Sequence, residues 1–426
     1  MTQSMTTAEL VGAIKQAGGC SHPIRLRGEF VDTATGEVSE RPLLVACKDR
    51  RAVLCPACSY LYKADAWIVV STGLLGGKGV PTTVSGHPRL FVTLTAPSFG
   101  AVHAQRADGS CRPRSRPLCP HGRPLTCHAH HDDADPLLGS PLCADCFNYR
   151  GAVLWNAQSS RLWNRTVEQV RRQLAADHDA TGDPSHLVRL SYLKVAEFQR
   201  RGLVHFHVVL RADGADQPFD PPPASLTTST LARVIASVVA HFSVAGPLGE
   251  IAWGRQFHVS ELDDSHDADQ RVAAYLAKYA VKTTDGSLDF ARRFHSRAEI
   301  LNLATTPHLR RLALTTWDLG LEPELAALNL RAHAHALGFR GQLITKSRHY
   351  STRFQDLRDV RAAFMATPVT EHLPTEDPVR GTFTYEGRGY DDPHAREVAE
   401  FLHRLYLEAR HSSPATDDTD DTDGAR

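Results

Sequence analysis

The chain has 426 residues, 42% of them hydrophobic, which is enough for roughly two or three compact units with cores of their own. Its 48 basic and 48 acidic residues balance, so net charge alone gives no argument for a nucleic-acid partner. No apolar run is long enough to span a bilayer, and the first residues lack the basic and apolar regions of a signal peptide. We therefore expect a cytoplasmic protein that has no membrane partner.

The N-terminal region contains the first of two cysteine groups. Cys55 and Cys58 form a C-x-x-C knuckle, which presents two thiolates to one tetrahedral zinc ion, and Cys20 with Cys47 would complete the four ligands. His22 is an alternative to Cys20. The cytoplasm keeps cysteines reduced, so zinc binding is a better interpretation of this group than disulfide formation.

Residues 64–75 have the apolar pattern of a helix, and the glycine-rich segment 76–79 follows it. That segment does not fit a phosphate-binding loop, because neither Ser nor Thr follows Lys78. Nothing here indicates an ATP-driven motor. The run LFVTLT at 90–95 then alternates as a buried strand does.

A second cysteine group occupies a segment that is poor in apolar residues and therefore needs a bound metal to be ordered. Cys143 and Cys146 form another knuckle, and histidines are interleaved between it and the preceding cysteines. We predict a second zinc site, and its expected ligands are Cys119, Cys127, Cys143 and Cys146. Cys111 is then the odd thiol.

The segment 187–210 contains two strand patterns joined by a three-residue hairpin loop, Arg200-Arg201-Gly202. This register places Glu197 opposite His205. His207 shares their face of the sheet, because side chains two residues apart on a strand point the same way. The pattern predicts a metal site made of two imidazoles and one carboxylate.

A helix is predicted at 267–282, where Tyr275 and Tyr279 lie on one face about 6 Å apart along the axis. Lys278 and Lys282 repeat that spacing on a neighbouring line. A tyrosine pair on a helix is more often part of a core than of an active site. The predicted metal cluster and the two lysines favour a nucleophilic role, since a phenol needs assistance to attack at neutral pH.

These motifs, in this order, resemble those of HUH endonucleases of the rolling-circle replication type, and the tyrosine pair resembles the two-tyrosine branch. The three motifs are FVTLT (91–95), HFH (205–207) and YLAKYAVK (275–282). Together with the cysteine groups, TLTAPSFGAVH (93–103) and LGFRGQLITKSRHYST (337–352) resemble the replication initiators of actinobacterial plasmids and integrative elements. The resemblance covers the chain from about residue 20 to about residue 354.

The resemblance implies that His205 and His207 bind Mg²⁺ or Mn²⁺, with Glu197 as the third ligand and Gln199 as the second choice for that position. Tyr275 or Tyr279 would attack a phosphate of single-stranded origin DNA. The products are a 5′-phosphotyrosine and a 3′-hydroxyl for a host DNA polymerase to extend, and a host helicase is a further candidate partner. The other tyrosine would act when the DNA is rejoined. Lys278 and Lys282 would stabilise charge on the phosphate.

The C-terminal third contains helical patterns at 308–311, 319–337 and 393–410, and a strand pattern at 382–390. Between them lies a basic, aromatic stretch that suits phosphate contact and base stacking. Its expected DNA-binding residues are Arg340, Lys346, Arg348, Tyr350 and Arg353. A solvated basic surface without DNA is an equally good interpretation of the spacing alone.

The predicted fold is α+β, and the resemblance implies a ferredoxin-like HUH core with a central antiparallel sheet, zinc-binding cysteine modules and a mostly helical C-terminal region. The expected organisation is an N-terminal zinc-binding region at 1–84, an endonuclease domain at 85–285 with an insertion at 111–147, an accessory DNA-binding region at 286–410, and a disordered acidic tail at 411–426. The alternatives are a two-tyrosine HUH transposase, a relaxase, and a zinc-dependent DNA-binding regulator that does not cleave.

Overall fold

A computed structural model describes residues 6–31, 35–36, 38–111, 118–177, 188–247, 249–262, 266–281, 292–366 and 380–412. The helices are α1 (Thr7–Gln16), α2 (Pro56–Leu75), α3 (Tyr149–Asp177), α4 (Thr228–His241), α5 (His266–Val281), α6 (Arg297–Leu301), α7 (Pro307–Leu319), α8 (Phe354–Ala366) and α9 (Pro393–Ser412). The strands are β1 (Ile24–Val31), β2 (Val38–Val45), β3 (Arg89–Thr95), β4 (Arg189–Phe198), β5 (Val204–Asp213), β6 (Ser243–Gly246), β7 (Gly249–Ala252), β8 (His258–Glu261), β9 (Ile344–Lys346) and β10 (Arg380–Arg388). The fold is mixed α and β with antiparallel sheets, as the sequence predicts.

The chain forms two compact units. The larger comprises residues 65–357, and the smaller combines the residues up to Ala64 with those from Arg358 onward. These limits differ from the predicted boundaries after residues 84 and 285. The reason is that β10 pairs along its whole length with β1, so the C-terminal strand belongs to the same unit as the N-terminal strands.

The larger unit is built on a five-stranded sheet of order β8-β3-β5-β4-β9 in which every neighbouring pair is antiparallel. β5 is the central strand. The alternation of its side chains gives the sheet two different faces. Phe206 and Val208 belong to the main core with residues of α3 and α4, whereas Val209 packs on the other face with residues of α2 and α5. The histidines of β5 share this second face with Val209.

The hairpin that joins β4 to β5 has the predicted geometry. Glu197 is the cross-strand partner of His205, and the backbone N–H of Gln199 donates to the carbonyl of Leu203 at 2.8 Å. Gly202 has φ +74°, a left-handed conformation that glycine adopts without strain. The predicted register of the two strands is therefore confirmed.

The N-terminal residues include α1, which begins with a capping box between Thr6 and Glu9. One other region differs from its prediction. The segment 319–337 was predicted as an amphipathic α-helix, but the structure has two 3₁₀ helices, Pro323–Leu328 and Leu330–Ala336. Asn329 separates them with φ +48°, which no α-helix accommodates.

The smaller unit contains a three-stranded sheet of order β10-β1-β2, and α1 contacts α9. Residues 413–426, nearly all of the predicted acidic tail, lie outside the described residues. None of the helices within the described ranges is long and apolar enough to cross a membrane.

Candidate functional site

The candidate site lies on the α5 face of the large sheet, where two histidines of β5 meet two tyrosines of α5. The ring centroids of His205 and His207 are 4.6 Å apart. The His207 ring is 5.4 Å from that of Tyr275 and 4.7 Å from that of Tyr279, and the two phenol rings are 4.5 Å apart. The structure thus brings the predicted histidines and tyrosines into one cluster.

Glu197 completes this cluster from the neighbouring strand. Its Oε2 atom lies 3.3 Å from Nε2 of His207, while the other ring nitrogen of His207, Nδ1, is buried without a hydrogen-bond partner among the described residues. A carboxylate and two imidazoles are a suitable donor set for a divalent cation. Within the described ranges, however, Glu197, His205 and His207 are not among the groups whose ligand atoms all lie within 4.8 Å of one another. Cation binding by all three therefore requires a side-chain adjustment.

Electrostatics keep the imidazole of His205 neutral and the phenol of Tyr275 protonated. Burial lowers the pKa of His205 to about 4, and the neighbouring His207 lowers it further than Glu197 can raise it. Burial and the hydrogen bond with Tyr279 raise the pKa of Tyr275 well above its ordinary value. A neutral imidazole can bind a metal, whereas Tyr275 needs help to lose its proton.

α5 is fixed on the sheet by an ion pair and by apolar contacts. The guanidinium of Arg89, the first residue of β3, binds the carboxylate of Asp269 in the first turn of α5, and both side chains are buried. Farther along the helix, Ala273 and Leu276 pack in the core that lies on this face of the sheet. These contacts hold the tyrosine-bearing face of α5 against β5.

Three residues around the cluster were not singled out from the sequence. Oγ1 of Thr95 lies 3.2 Å from Nδ1 of His205. Phe91 stacks parallel to His207 with centroids 6.1 Å apart and also contacts Tyr275. The alternation of FVTLT could have identified both, because Phe91 and Thr95 lie on the face that carries the histidines. The third, Arg201, donates to the carbonyls of Ala96 and Pro97 and so ties the hairpin turn to the end of β3.

The remaining residues predicted for catalysis or metal binding are not all placed at the cluster. Lys278 is exposed on α5, and Lys282 lies outside the described residues. Gln199, the second choice as a metal ligand, is in the turn after β4, and its Oε1 accepts a hydrogen bond from Nε of Arg201 at 2.8 Å. This bond holds the amide oxygen of Gln199 and favours Glu197 as the oxygen ligand.

The described cysteines gather in three groups, two of which include histidines, and in each group the ligand atoms lie within 4.8 Å of one another. The first group consists of Cys20, Cys47, Cys55 and Cys58, which is the set expected from the sequence. Sγ of Cys55 lies 3.6 Å from Sγ of Cys20, and these residues belong to the smaller unit. His22 is not part of the group.

The residues of the other predicted zinc site are divided between the second and third groups. Cys119, Cys143 and Cys146 lie with His121, whose Nδ1 is 3.2 Å from Sγ of Cys146. Cys127, predicted in the place of His121, belongs instead to the third group. The reason is a turn in which the N–H of Gly122 donates to the carbonyl of Cys119, so that His121 folds back toward the knuckle.

Some of the predicted DNA-binding residues are exposed and others are buried. Arg340, Arg348 and Arg353 are exposed, and Arg353 pairs with Asp356 at 2.6 Å. Nζ of Lys346 is half-buried and donates to the carbonyl of Ser351 at 2.7 Å.

The expectation that Tyr350 stacks on DNA is wrong. Its ring is fully buried, and its hydroxyl donates to the carbonyl of Val70 at 3.1 Å. The basic, aromatic composition could not reveal this, because the cavity that receives the ring exists only where α2 has a glycine, Gly73, against it.

Comparison with known proteins identifies the family. The chain matches the family described as "Replication initiator protein, pSAM2" over residues 6–404. A replication initiator protein of Streptomyces ambofaciens is 34% identical over 443 aligned residues, which cover 96% of this chain and 93% of the relative. No solved structure matches the chain significantly. Since these matches extend over nearly the whole sequence, the chain belongs to the pSAM2 replication initiator protein family.

Proposed function

We propose that this replication initiator nicks single-stranded origin DNA through a tyrosine and starts rolling-circle replication, as an HUH endonuclease would. The observation that carries the proposal is the contact of both phenol rings with His207, at 4.7 and 5.4 Å, beside Glu197 and His205. Core packing alone does not explain why two imidazoles, a carboxylate and two phenols lie together on one face of a sheet. Such a cluster contains the nucleophiles and the metal ligands that phosphoryl transfer requires.

The proposed step transfers one phosphodiester from the DNA to the protein. The hydroxyl oxygen of Tyr275 or Tyr279 forms a bond to phosphorus, and the bond from phosphorus to the 3′ oxygen breaks. The hydroxyl proton of the tyrosine passes to solvent, and the leaving oxygen takes up a proton to become the 3′-hydroxyl. The DNA end left on the protein is a 5′-phosphotyrosine. Attack by the 3′-hydroxyl of another strand on its phosphorus breaks the bond to the tyrosine oxygen, which takes up a proton, and the DNA is rejoined.

Each residue of the site has a part in this step. Glu197, His205 and His207 would hold Mg²⁺ or Mn²⁺, which supplies charge to polarise the phosphate. Thr95 orients His205 through Nδ1 and leaves its other ring nitrogen available to the cation. The exposed amine of Lys278, one residue from Tyr279, is available to a phosphate oxygen. Lys282 remains a candidate for the same role.

The proposal includes structural zinc. We infer that Cys20, Cys47, Cys55 and Cys58 bind one ion and that Cys119, His121, Cys143 and Cys146 bind another. Four thiolates, or three with one imidazole, are typical donor sets of structural zinc sites. Arg311 donates to the carbonyl of Ala144 and pairs with Asp145 at 3.7 Å, which joins the second knuckle to α7.

Of the exposed arginines in the predicted DNA-binding set, Arg340 has a better position for DNA bound at the site than Arg348. It follows Phe339, whose ring contacts Phe198 at the end of β4 that carries Glu197. Arg348 lies near the opposite end of β4. The carbonyl of the next residue, His349, accepts from Arg211, and Arg211 is paired with the start of β4. A strand held at the tyrosines would therefore meet Arg340 before Arg348. The released 3′-hydroxyl would serve a host DNA polymerase, and a helicase partner would open the duplex.

The direct test is the formation of a covalent adduct. The purified chain is incubated with single-stranded oligonucleotides from its origin and with Mn²⁺ or Mg²⁺, and denaturing gels detect the shifted protein. We expect an adduct that needs the cation and that places the 5′ end of the DNA on Tyr275 or Tyr279 in peptide mass spectra. Failure of the wild-type protein to form an adduct on any segment of the origin would refute the proposal.

Variants separate the two tyrosines. Tyr275→Phe and Tyr279→Phe should each change the rate or the rejoining, and the double variant should form no adduct. The matched control is Tyr385→Phe, which removes an exposed hydroxyl from β10 and should leave the adduct unchanged. Full adduct formation by the double variant would show that neither phenol is the nucleophile and would remove both tyrosines from the mechanism.

A further inference from the structure

The third group of metal-binding residues, His103, Cys111, Cys127 and His131, is not part of the function proposed above. One ligand atom from each of the four lies within 4.8 Å of the others. Nε2 of His131 is 3.5 Å from Sγ of Cys127, and Nδ1 of His103 is 4.0 Å from Sγ of Cys111. The sequence left Cys111 as an odd thiol, because these ligands are too irregularly spaced to form a motif.

His131 is held as a metal-binding histidine would be. Its side chain is buried, and its Nδ1 is 2.6 Å from a carboxylate oxygen of Asp135. A carboxylate at one ring nitrogen fixes the ring orientation and leaves the other nitrogen to face a metal. That other nitrogen, Nε2, is the one that faces Cys127. The backbone carbonyl of His131 is also held, since it accepts from the Gln105 side chain at 2.7 Å.

We propose that His103, Cys111, Cys127 and His131 bind a structural zinc ion of their own. Two thiolates and two imidazoles form a tetrahedral donor set of the zinc-finger type. The two thiolates balance the charge of Zn²⁺, so the partly buried site is neutral once both thiols have released their protons. Mg²⁺ is a poor alternative, because it prefers oxygen ligands and an octahedral arrangement.

This site is separate from that of Cys119, His121, Cys143 and Cys146, since the two groups share no residue. The segment between β3 and α3 would therefore hold two zinc ions, and the described part of the chain would hold three zinc ions in all. Three separate sites predict three equivalents of zinc per chain, whereas the sequence alone predicted two.

The third site supports the hairpin that carries Glu197 and His205. The backbone of His103 exchanges hydrogen bonds with the opposite segment, accepting from Gly139 and donating to Ser140, both at 2.9 Å. A side chain at Gly139 would overlap the backbone of Arg200, so this segment lies directly against the turn between β4 and β5. Arg200 also donates to the carbonyl of Asp133. Zinc in the third site should therefore restrict the motion of the turn.

The test is the metal content of the full-length protein, measured by mass spectrometry under non-denaturing conditions. Wild type should carry three equivalents of zinc, and Cys127→Ala or His131→Ala should carry two. Cys127→His and His103→Cys keep four donor atoms and should retain three. The matched control, His128→Ala, changes an exposed histidine one residue from Cys127 and should also retain three. Two equivalents in wild type, or three in both alanine variants, would refute the third site.

Two further measurements keep the test informative if an alanine variant folds poorly. Protein loaded with Co²⁺ should show thiolate-to-cobalt absorption that decreases by a smaller step in Cys127→His than in Cys127→Ala, because only the former keeps its ion. Hydrogen exchange of the backbone at 199–203 should accelerate in His131→Ala but not in His128→Ala. Equal exchange in the two variants would contradict the support of the hairpin, and equal cobalt spectra would contradict the site itself.

Discussion

Arg89 and Asp269 form a buried ion pair that joins the start of β3 to the first turn of α5, the helix that carries Tyr275 and Tyr279. Removal of Asp269 takes this carboxylate away from the buried guanidinium of Arg89. We expect Asp269→Ala to lower the free energy of unfolding by about 3–5 kcal/mol. The same change should slow adduct formation, because α5 loses its polar attachment to the sheet. Urea denaturation and the adduct assay measure the two effects.

The control for this change is Asp267→Ala. Asp267 lies in the same turn of α5 but is exposed, so its removal should change stability by no more than about 0.5 kcal/mol. Equal destabilisation by the two substitutions would mean that the ion pair contributes nothing beyond the charge of the helix terminus.

The hairpin with His205 and His207 could be predicted because its information is local. Alternation assigns each side chain of β4 and β5 to a face, and Gly202 marks the turn, so the pairing of Glu197 with His205 follows. The helical spacing of the tyrosines is local in the same sense. Only the resemblance predicted that α5 lies against β5, because the spacing of residues within each element does not indicate which elements pack together.

Long-range pairing is what the sequence could not supply. β1 and β10 are separated by most of the chain, so the pattern of neither strand indicates the other, and the domain limits differed for that reason. The exchange of Cys127 for His121 has a similar cause, because loop conformation rather than spacing decides which ligands converge. Burial of Tyr350 likewise depends on Gly73, which is remote in sequence.

Tyr350→Phe tests the corrected role of this residue. The substitution removes the hydrogen bond to the carbonyl of Val70, which lies within α2 and keeps its helical hydrogen bond. We expect a loss of about 0.5–1.5 kcal/mol in the free energy of unfolding and no change in affinity for single-stranded DNA. Weaker DNA binding with unchanged stability would restore the original stacking hypothesis. Denaturation and fluorescence anisotropy distinguish these results.

Arg340→Ala tests the proposed DNA path. If Arg340 contacts a phosphate near the tyrosines, its removal should weaken binding of single-stranded DNA and reduce the slope of log affinity against log salt by about 0.7, the value for one phosphate contact. Arg348→Ala is the matched control at the other end of β4 and should have the smaller effect. Similar losses in both variants would indicate a diffuse basic surface instead of a path.

Thr95→Val tests whether Oγ1 orients His205. Valine keeps the shape and the strand preference of threonine but removes the oxygen that lies 3.2 Å from Nδ1 of His205. We expect the Mn²⁺ concentration needed for half-maximal adduct formation to rise about 10–100-fold. Thr95→Ser keeps the oxygen and should remain close to wild type. An unchanged Mn²⁺ requirement in Thr95→Val would show that the contact has no part in cation binding.

His308 should make stability depend on pH. It is buried between the hydroxyl of Tyr149 and the carbonyl of Arg201, each 3.1 Å from a ring nitrogen, and burial lowers its pKa to about 4 from an ordinary 6.5. Between these two pH values the unfolded chain binds a proton that the folded chain does not. The contribution of His308 is therefore complete above about pH 6.5 and is lost as the pH falls toward 4.

The measurement compares wild type with His308→Gln at several pH values. The difference between their free energies of unfolding should be largest near pH 7 and should shrink by about 3 kcal/mol on acidification to pH 4, because one pKa unit corresponds to about 1.4 kcal/mol. His394→Gln, which changes a histidine that is 85% exposed, provides the control, and its difference from wild type should not vary with pH. A constant difference for His308→Gln would show that His308 takes up a proton equally well in the folded chain, in which case its position between Tyr149 and Arg201 would not depend on a neutral ring.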